Sequence, residues 1–192
     1  MSGTERKDDR APGSGALLGV SRGIDAVSRT AGLVADWLVL AACLISAGNA
    51  TTRYLFSYSS NGLLEIQWYL FGALVFLGAS YTLRENGHVR VDLVYSSVSD
   101  RARLWIDAIG FVVFLIPTCL YLAYLCTPFF VRSFQIGEVS NNAGGLILWP
   151  IKLALPLGFV LLGLQGISEL IKRIAALKGE VRLDTHYEQP LQ

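Results

Sequence analysis

Residues 63–92 read LLEIQWYLFGALVFLGASYTLRENGHVRVD, and this stretch decides the fold. Glu65 and Gln67 stand at its entry, Trp68 and Tyr69 follow, and no charge then appears until Arg84. An α-helix rises 1.5 Å per residue, so about 20 residues cross a hydrocarbon core of about 30 Å. Residues 63–83 therefore suffice for one membrane span. Its aromatic end lies at one interface, and a charged elbow, 84–92, lies at the other.

Working outward, three further apolar runs of similar length cover about 32–54, 106–130 and 146–171. The chain has 192 residues, 53% of them hydrophobic, with a mean hydropathy of +0.47. That is too apolar for an ordinary soluble domain and predicts one all-α integral membrane domain, about 16–173, with four transmembrane helices. A net charge of +1 gives no field that would favour nucleic acid as a partner. Polar tails are expected at 1–15 and 174–192, the first of them mobile. Cys43, Cys119 and Cys126 all fall inside apolar runs, which predicts buried structural thiols. Cys119 and Cys126 are seven residues apart on one helix, roughly 10 Å by helical rise, too far for a disulfide.

Local patterns refine the spans. Leu17, Val20, Ile24, Val27 and Ala31 recur at helical spacing, with Arg22, Asp25 and Arg29 on other faces. This predicts an amphipathic helix lying in the interface, or else an extension of the first span. Asp36 is the only charge within that span before Arg53, either a functional carboxylate or a member of a structural ion pair. Ser46-Ala47-Gly48 offers small residues behind an apolar run, as a cleavage site would. The roughly 30 polar residues ahead of that run favour an uncleaved anchor instead. Ser59-Ser60-Asn61-Gly62 is a turn signal, and Arg53 and Glu65 on either side of it are close enough to pair. Gly87 can supply the positive φ that ends a helix. Val89, Val91 and Leu93 alternate with Arg90 and Asp92 as in a short extended piece, and 95–103 is expected to skirt the surface. Pro117 should kink the third span. Trp149 marks the entry of the fourth, where Lys152 can snorkel to headgroups, and Glu169 stands at helical spacing from Lys172 and Arg173.

Thirteen of the 16 Lys and Arg fall in the N-terminal segment, the elbow region and the C-terminal tail. The other three are Arg53, Arg132 and Lys152. The positive-inside rule then places both termini and the elbow in the cytoplasm.

Chemistry-bearing motifs are missing from the sequence: there is no HExxH, CxxC, phosphate-binding glycine loop or GxSxG elbow. His88 and His186 stand in polar segments, where a solvated or capping role outweighs a catalytic one. No metal or cofactor is expected in this chain, and no enzymatic activity. The ionisable residues of the spans crowd toward their ends, whereas a self-sufficient transporter carries such groups at mid-membrane. The composition suits a module that holds something else in place. An independent four-helix membrane protein, such as a small proton-coupled exporter, is the other reading.

RYLF at 53–56, LEIQWYLF at 64–71, FLGA at 76–79 and RENGHVRVD at 84–92 resemble the small membrane subunit (DctQ-like) of TRAP transporters, the tripartite ATP-independent periplasmic transporters. The stretch 140–172 is similar to a branch of that family with a Trp-Pro entry and a Gly-Phe-rich last span. The resemblance covers about 30–173. It implies a non-catalytic scaffold in the bacterial inner membrane, beside a large permease subunit and a periplasmic solute-binding protein. Ion coupling, by sodium, would reside in the large subunit, and the imported solute would be organic, a carboxylate. It also implies partner contact or membrane anchoring for Arg84, His88, Arg90 and Asp92 at the elbow. At the opposite end the same role falls to Arg53, Glu65, Gln67, Trp68, Trp149 and Lys152.

Overall fold

The computed structural model describes residues 15–87, 98–142 and 145–180. They form α1 (Gly15–Phe56), α2 (Asn61–Arg84), α3 (Asp100–Gly110), α4 (Ile116–Gln135) and α5 (Trp149–Leu177). One π-helical turn, Phe111–Leu115, joins α3 to α4, so Asp100–Gln135 is a single rod. Four rods result, each long and apolar enough to cross a membrane, and the all-α four-span class expected from the sequence is the observed one.

The first rod differs from expectation. α1 runs unbroken for 42 residues, roughly 63 Å by helical rise and about twice a hydrocarbon core. The segment 17–31 is thus the extension of the first span rather than a separate helix turned into the interface. Its polar residues explain this: Ser21 and Ser28 are buried against α5, so nothing draws the segment sideways to the headgroups. Gly32, at the junction of the two segments, admits the Tyr81 ring. A Cβ there would lie 2.5 Å from Tyr81 Cγ.

α2 ends by hydrogen bonding rather than by glycine conformation. Gly87 N–H donates to Thr82 O at 2.9 Å and Asn86 N–H to Leu83 O at 3.2 Å, satisfying carbonyls the helix would leave open. The residue at positive φ is Asn86, at 56°, not Gly87. Asparagine tolerates this region better than most side chains. The same pair of bonds closes α4 at Gly137 and α5 at Gly179, where glycine does take the positive φ.

In the third rod Pro117 has no N–H to offer the preceding turn. The chain widens there: Ile116 N–H donates to Phe111 O, five residues back, so the strain is absorbed by the π turn. Asp100–Arg103, expected along the surface, begins this rod instead. The fourth rod starts three residues later and ends six residues later than the apolar run alone indicates.

α5 is the hub, packed against α1, α2, α3 and α4. Its glycines set the closest approach. A Cβ on Gly158 would stand 2.6 Å from Phe76 Cβ and 2.7 Å from Phe76 O, and one on Gly166 would stand 2.6 Å from Leu115 Cδ2. Buried apolar side chains are mostly small, among them Ala35, Ala42, Ala123 and Ala154, while Trp37, Leu44, Phe114 and Tyr124 face outward. Close backbone packing inside and bulky apolar residues outside suit a bundle surrounded by lipid. Cys119 is buried, but Cys43 is exposed on the outer face of α1, contrary to the expectation for all three thiols.

Candidate functional site

The charged and amide residues collect at the two ends of the bundle. At one end the start of α1, the end of α2, α3 and the end of α5 meet. Gln165, Ser168, Glu169, Lys172 and Arg173 recur on α5 at three- and four-residue spacing and so share one face. Ser21, Asp25 and Ser28 do the same on α1. The two stripes interlock. Ser28 Oγ donates to Gln165 Oε1 at 2.7 Å, and Gln165 Nε2 donates to Asp25 Oδ1 at 3.0 Å and to Glu169 Oε1 at 3.1 Å. The Ser21 and Ser168 hydroxyls are 2.7 Å apart, and Ser168 Oγ is 2.8 Å from Asp25 Oδ1.

Lys172 Nζ bridges the helices, 2.7 Å from both Asp25 Oδ2 and Glu169 Oε1. Arg173 extends the chain of charges. It pairs with Glu169, donates through Nε to Asp107 Oδ2 at 3.2 Å and through Nη2 to Asn86 Oδ1 at 3.2 Å, and lies 5.0 Å over the Phe111 ring. Glu169 and Arg173 are 3% and 4% exposed, so the pairing that their helical spacing favours is an interior one. Buried charges persist only when paired and hydrogen-bonded, and here each is. A single network ties α1, α2, α3 and α5.

At the opposite end Glu65, 8% exposed, accepts the Leu146 N–H at 3.1 Å. It therefore clasps the loop between α4 and α5 rather than pairing with Arg53, which is exposed. Within that loop Ser140 N–H donates to Leu146 O and Leu148 N–H to Glu138 O, each at 2.9 Å, around the Val139–Ile147 bridge. Lys152 does not snorkel outward. It is buried, pairs with Glu138 and lies 4.0 Å over the Phe129 ring. That ammonium holds the Glu138 carboxyl below its ordinary range. Trp149 packs edge-on against Phe134 at 5.4 Å.

The remaining sequence candidates lie apart. Trp68 is 78% exposed. Gln67 Nε2 donates to Leu63 O at 3.0 Å. Arg84 pairs with Glu85 at 3.0 Å and rests 5.9 Å from the Tyr81 ring centre. Asp36 is exposed on α1 and has no ion-pair partner among the described residues. His88, Arg90 and Asp92, with the expected extended piece, lie outside the described residues. Sequence reasoning missed Gln165, Ser168, Ser21 and Ser28. Their signal was polar residues at helical spacing within long apolar helices.

Between the two ends, 37–52, 66–83, 108–131 and 153–168 contain no Asp, Glu, Lys or Arg. Among the described residues no group of three or more His, Cys, Asp or Glu could hold a metal ion. The arrangement fixes helices against one another at both ends and leaves an apolar middle.

Neither a curated protein nor a solved structure matches the chain. A family model does, the DctQ component of tripartite ATP-independent periplasmic transporters, over residues 42–176, from the last third of the first rod through the other three. A transmembrane, four-helix chain matched over most of its length in this way belongs to the DctQ family, the small component of TRAP transporters.

Proposed function

We propose that this chain is the fixed, non-catalytic scaffold of a secondary transporter in the bacterial inner membrane. It braces a large permease subunit that carries the solute and ion sites. A periplasmic binding protein delivers an organic solute, a carboxylate, and an ion gradient, of sodium, drives its import. The observation that carries this reading is the distribution of charge. The buried ionisable side chains at both ends, Glu65, Lys152, Glu169 and Arg173, are consumed in ties within the bundle, and the membrane middle offers nothing charged with which to grip a solute or ion. Such an object holds its shape while a neighbour moves. The excess of Lys and Arg in the sequence before α1, around the elbow and after α5 supports a cytoplasmic location for the end where α1 starts and α5 stops. His88, Arg90 and Asp92 then act there as an elbow anchored to headgroups or to the partner.

Affinity purification of the tagged full chain from its native host tests this. A much larger multi-span protein should copurify in stoichiometric amount, and Arg90→Ala with Asp92→Ala should lower its yield. Recovery of this chain alone from gently solubilised membranes would contradict the proposal.

A further inference from the structure

Asp36 is exposed on α1, and no ion pair or hydrogen bond meets its carboxylate among the described residues. Its depth follows from its neighbours. A Cβ on Gly78 of α2 would stand 3.7 Å from the Ala35 Cβ, and the Tyr81 ring lies against Gly32. Gly78 precedes by six residues Arg84, where α2 ends, so Asp36 lies about 9 Å inside that charged end by helical rise. That is within a hydrocarbon core of about 30 Å, short of its middle. Neither α2 between 66 and 83 nor α5 between 153 and 168 brings a charge to this level. Arg29, the nearest cation along α1, stands about 10 Å closer to the end and makes no ion pair with Asp36. An aspartate has one methylene, too short to carry its carboxylate out to the headgroups as a lysine or arginine stem carries its cation. A carboxylate facing lipid tails is costly, so this one asks for a cation from outside the chain.

The face around it suits a second helix. Successive helical residues are turned by about 100°, which sets Asp36 to one side of the buried stripe Ser28, Gly32, Ala35, Ala42 and Asn49. Arg29, Asp36, Cys43 and Ala50 repeat at seven-residue spacing on that side with Ala47 among them, and all five are exposed. Small residues at this spacing admit the backbone of another helix, whereas the next face round carries Trp37 and Leu44. We infer that this stripe docks a transmembrane helix of the large permease subunit, one that carries a lysine or arginine within its apolar run at the depth of Asp36. Lipid tails fit the small residues but leave the carboxylate bare. A second copy of this chain packed in parallel brings another carboxylate to the same level rather than a cation. That the docked helix belongs to the large subunit rests on the scaffold reading above.

Copurification with the tagged full chain from gently solubilised membranes tests it. Asp36→Leu should lower recovery of the larger multi-span protein about tenfold or more, the loss that follows when one partner of a desolvated charge pair is removed. Asp36→Glu should retain it. For the isolated chain in detergent, Asp36→Leu should leave the unfolding temperature unchanged or raise it, because the carboxylate has no partner within the bundle. A photoreactive benzoylphenylalanine in place of Ala47 should crosslink to the larger protein in whole cells. One in place of Val34, exposed on the other flank of the buried stripe, should not. An Asp36→Leu chain that holds the larger protein as well as the unaltered one would overturn the inference alone. So would a lowered unfolding temperature of that variant, crosslinks from Val34 and not from Ala47, or Ala47 crosslinks that join two copies of this chain. An unaltered chain that recovers no larger protein would remove the scaffold reading and the inference with it.

Discussion

Asn86 shows how much one side chain carries in this bundle. Its backbone takes the left-handed turn that ends α2, and its amide oxygen accepts from Arg173 across the bundle. Alanine at this position keeps neither role and should destabilise the protein by about 1–2 kcal/mol in reversible unfolding from detergent micelles. Glycine keeps the backbone geometry and should lose less. Arg173 itself is buried among Glu169, Asp107 and Asn86, so Arg173→Leu removes the cation that two interior carboxylates share. A loss of about 3–5 kcal/mol is expected by the same measurement. Gly158 makes the complementary case through space rather than charge. An added Cβ collides with the Phe76 backbone, so Gly158→Ala should cost about 1–3 kcal/mol. Gly23→Ala on α1, where a Cβ meets nothing within 4 Å, should be neutral or stabilising.

Among the elements, the loop between α4 and α5 owes its shape to two carboxylates, Glu65 from below and Glu138 from within. Lys152 lowers the Glu138 pKa in the folded protein. A carboxyl depressed on folding adds stability above its unfolded value of about 4.5, and that contribution disappears as pH falls through the lower folded value. The loop should therefore loosen in acid below pH 4.5, read as faster amide exchange at Ser140 and Leu148. Glu138→Gln should weaken that pH dependence, leaving the part that Glu65 contributes through the Leu146 N–H. The rods themselves were legible from the sequence, because long charge-free runs bounded by aromatic and basic residues have few other solutions. Their joints were less so. The fusion of 17–31 with the first span depends on Ser21, Asp25 and Ser28 meeting Gln165, Ser168 and Lys172 some 140 residues away. No local pattern contains that contact. Asn86, which takes the left-handed turn in place of Gly87, likewise meets a distant partner, Arg173, 87 residues away. The π turn at Phe111–Leu115 replaces the simple kink that Pro117 announces, since widening by one residue relieves the missing N–H within the helix.

For the whole molecule, ties at both ends and an apolar middle make a frame, with α5 as its central post. The residues singled out from the sequence fall at the ends of the bundle, and the Gln165–Ser168 network was not among them. Glu65 and Lys152 are spent on the α4–α5 loop, while Trp68 and Arg53 remain exposed to whatever surrounds the bundle. A frame of this construction should be inert alone. The most direct measurement is solute accumulation in liposomes under an inward sodium gradient. The chain would be reconstituted by itself, and then with the large multi-span protein that copurifies with it and the binding protein. No accumulation above empty liposomes is predicted for the chain alone, and saturable accumulation for the full set. Saturable, gradient-dependent accumulation by this polypeptide on its own would contradict the account.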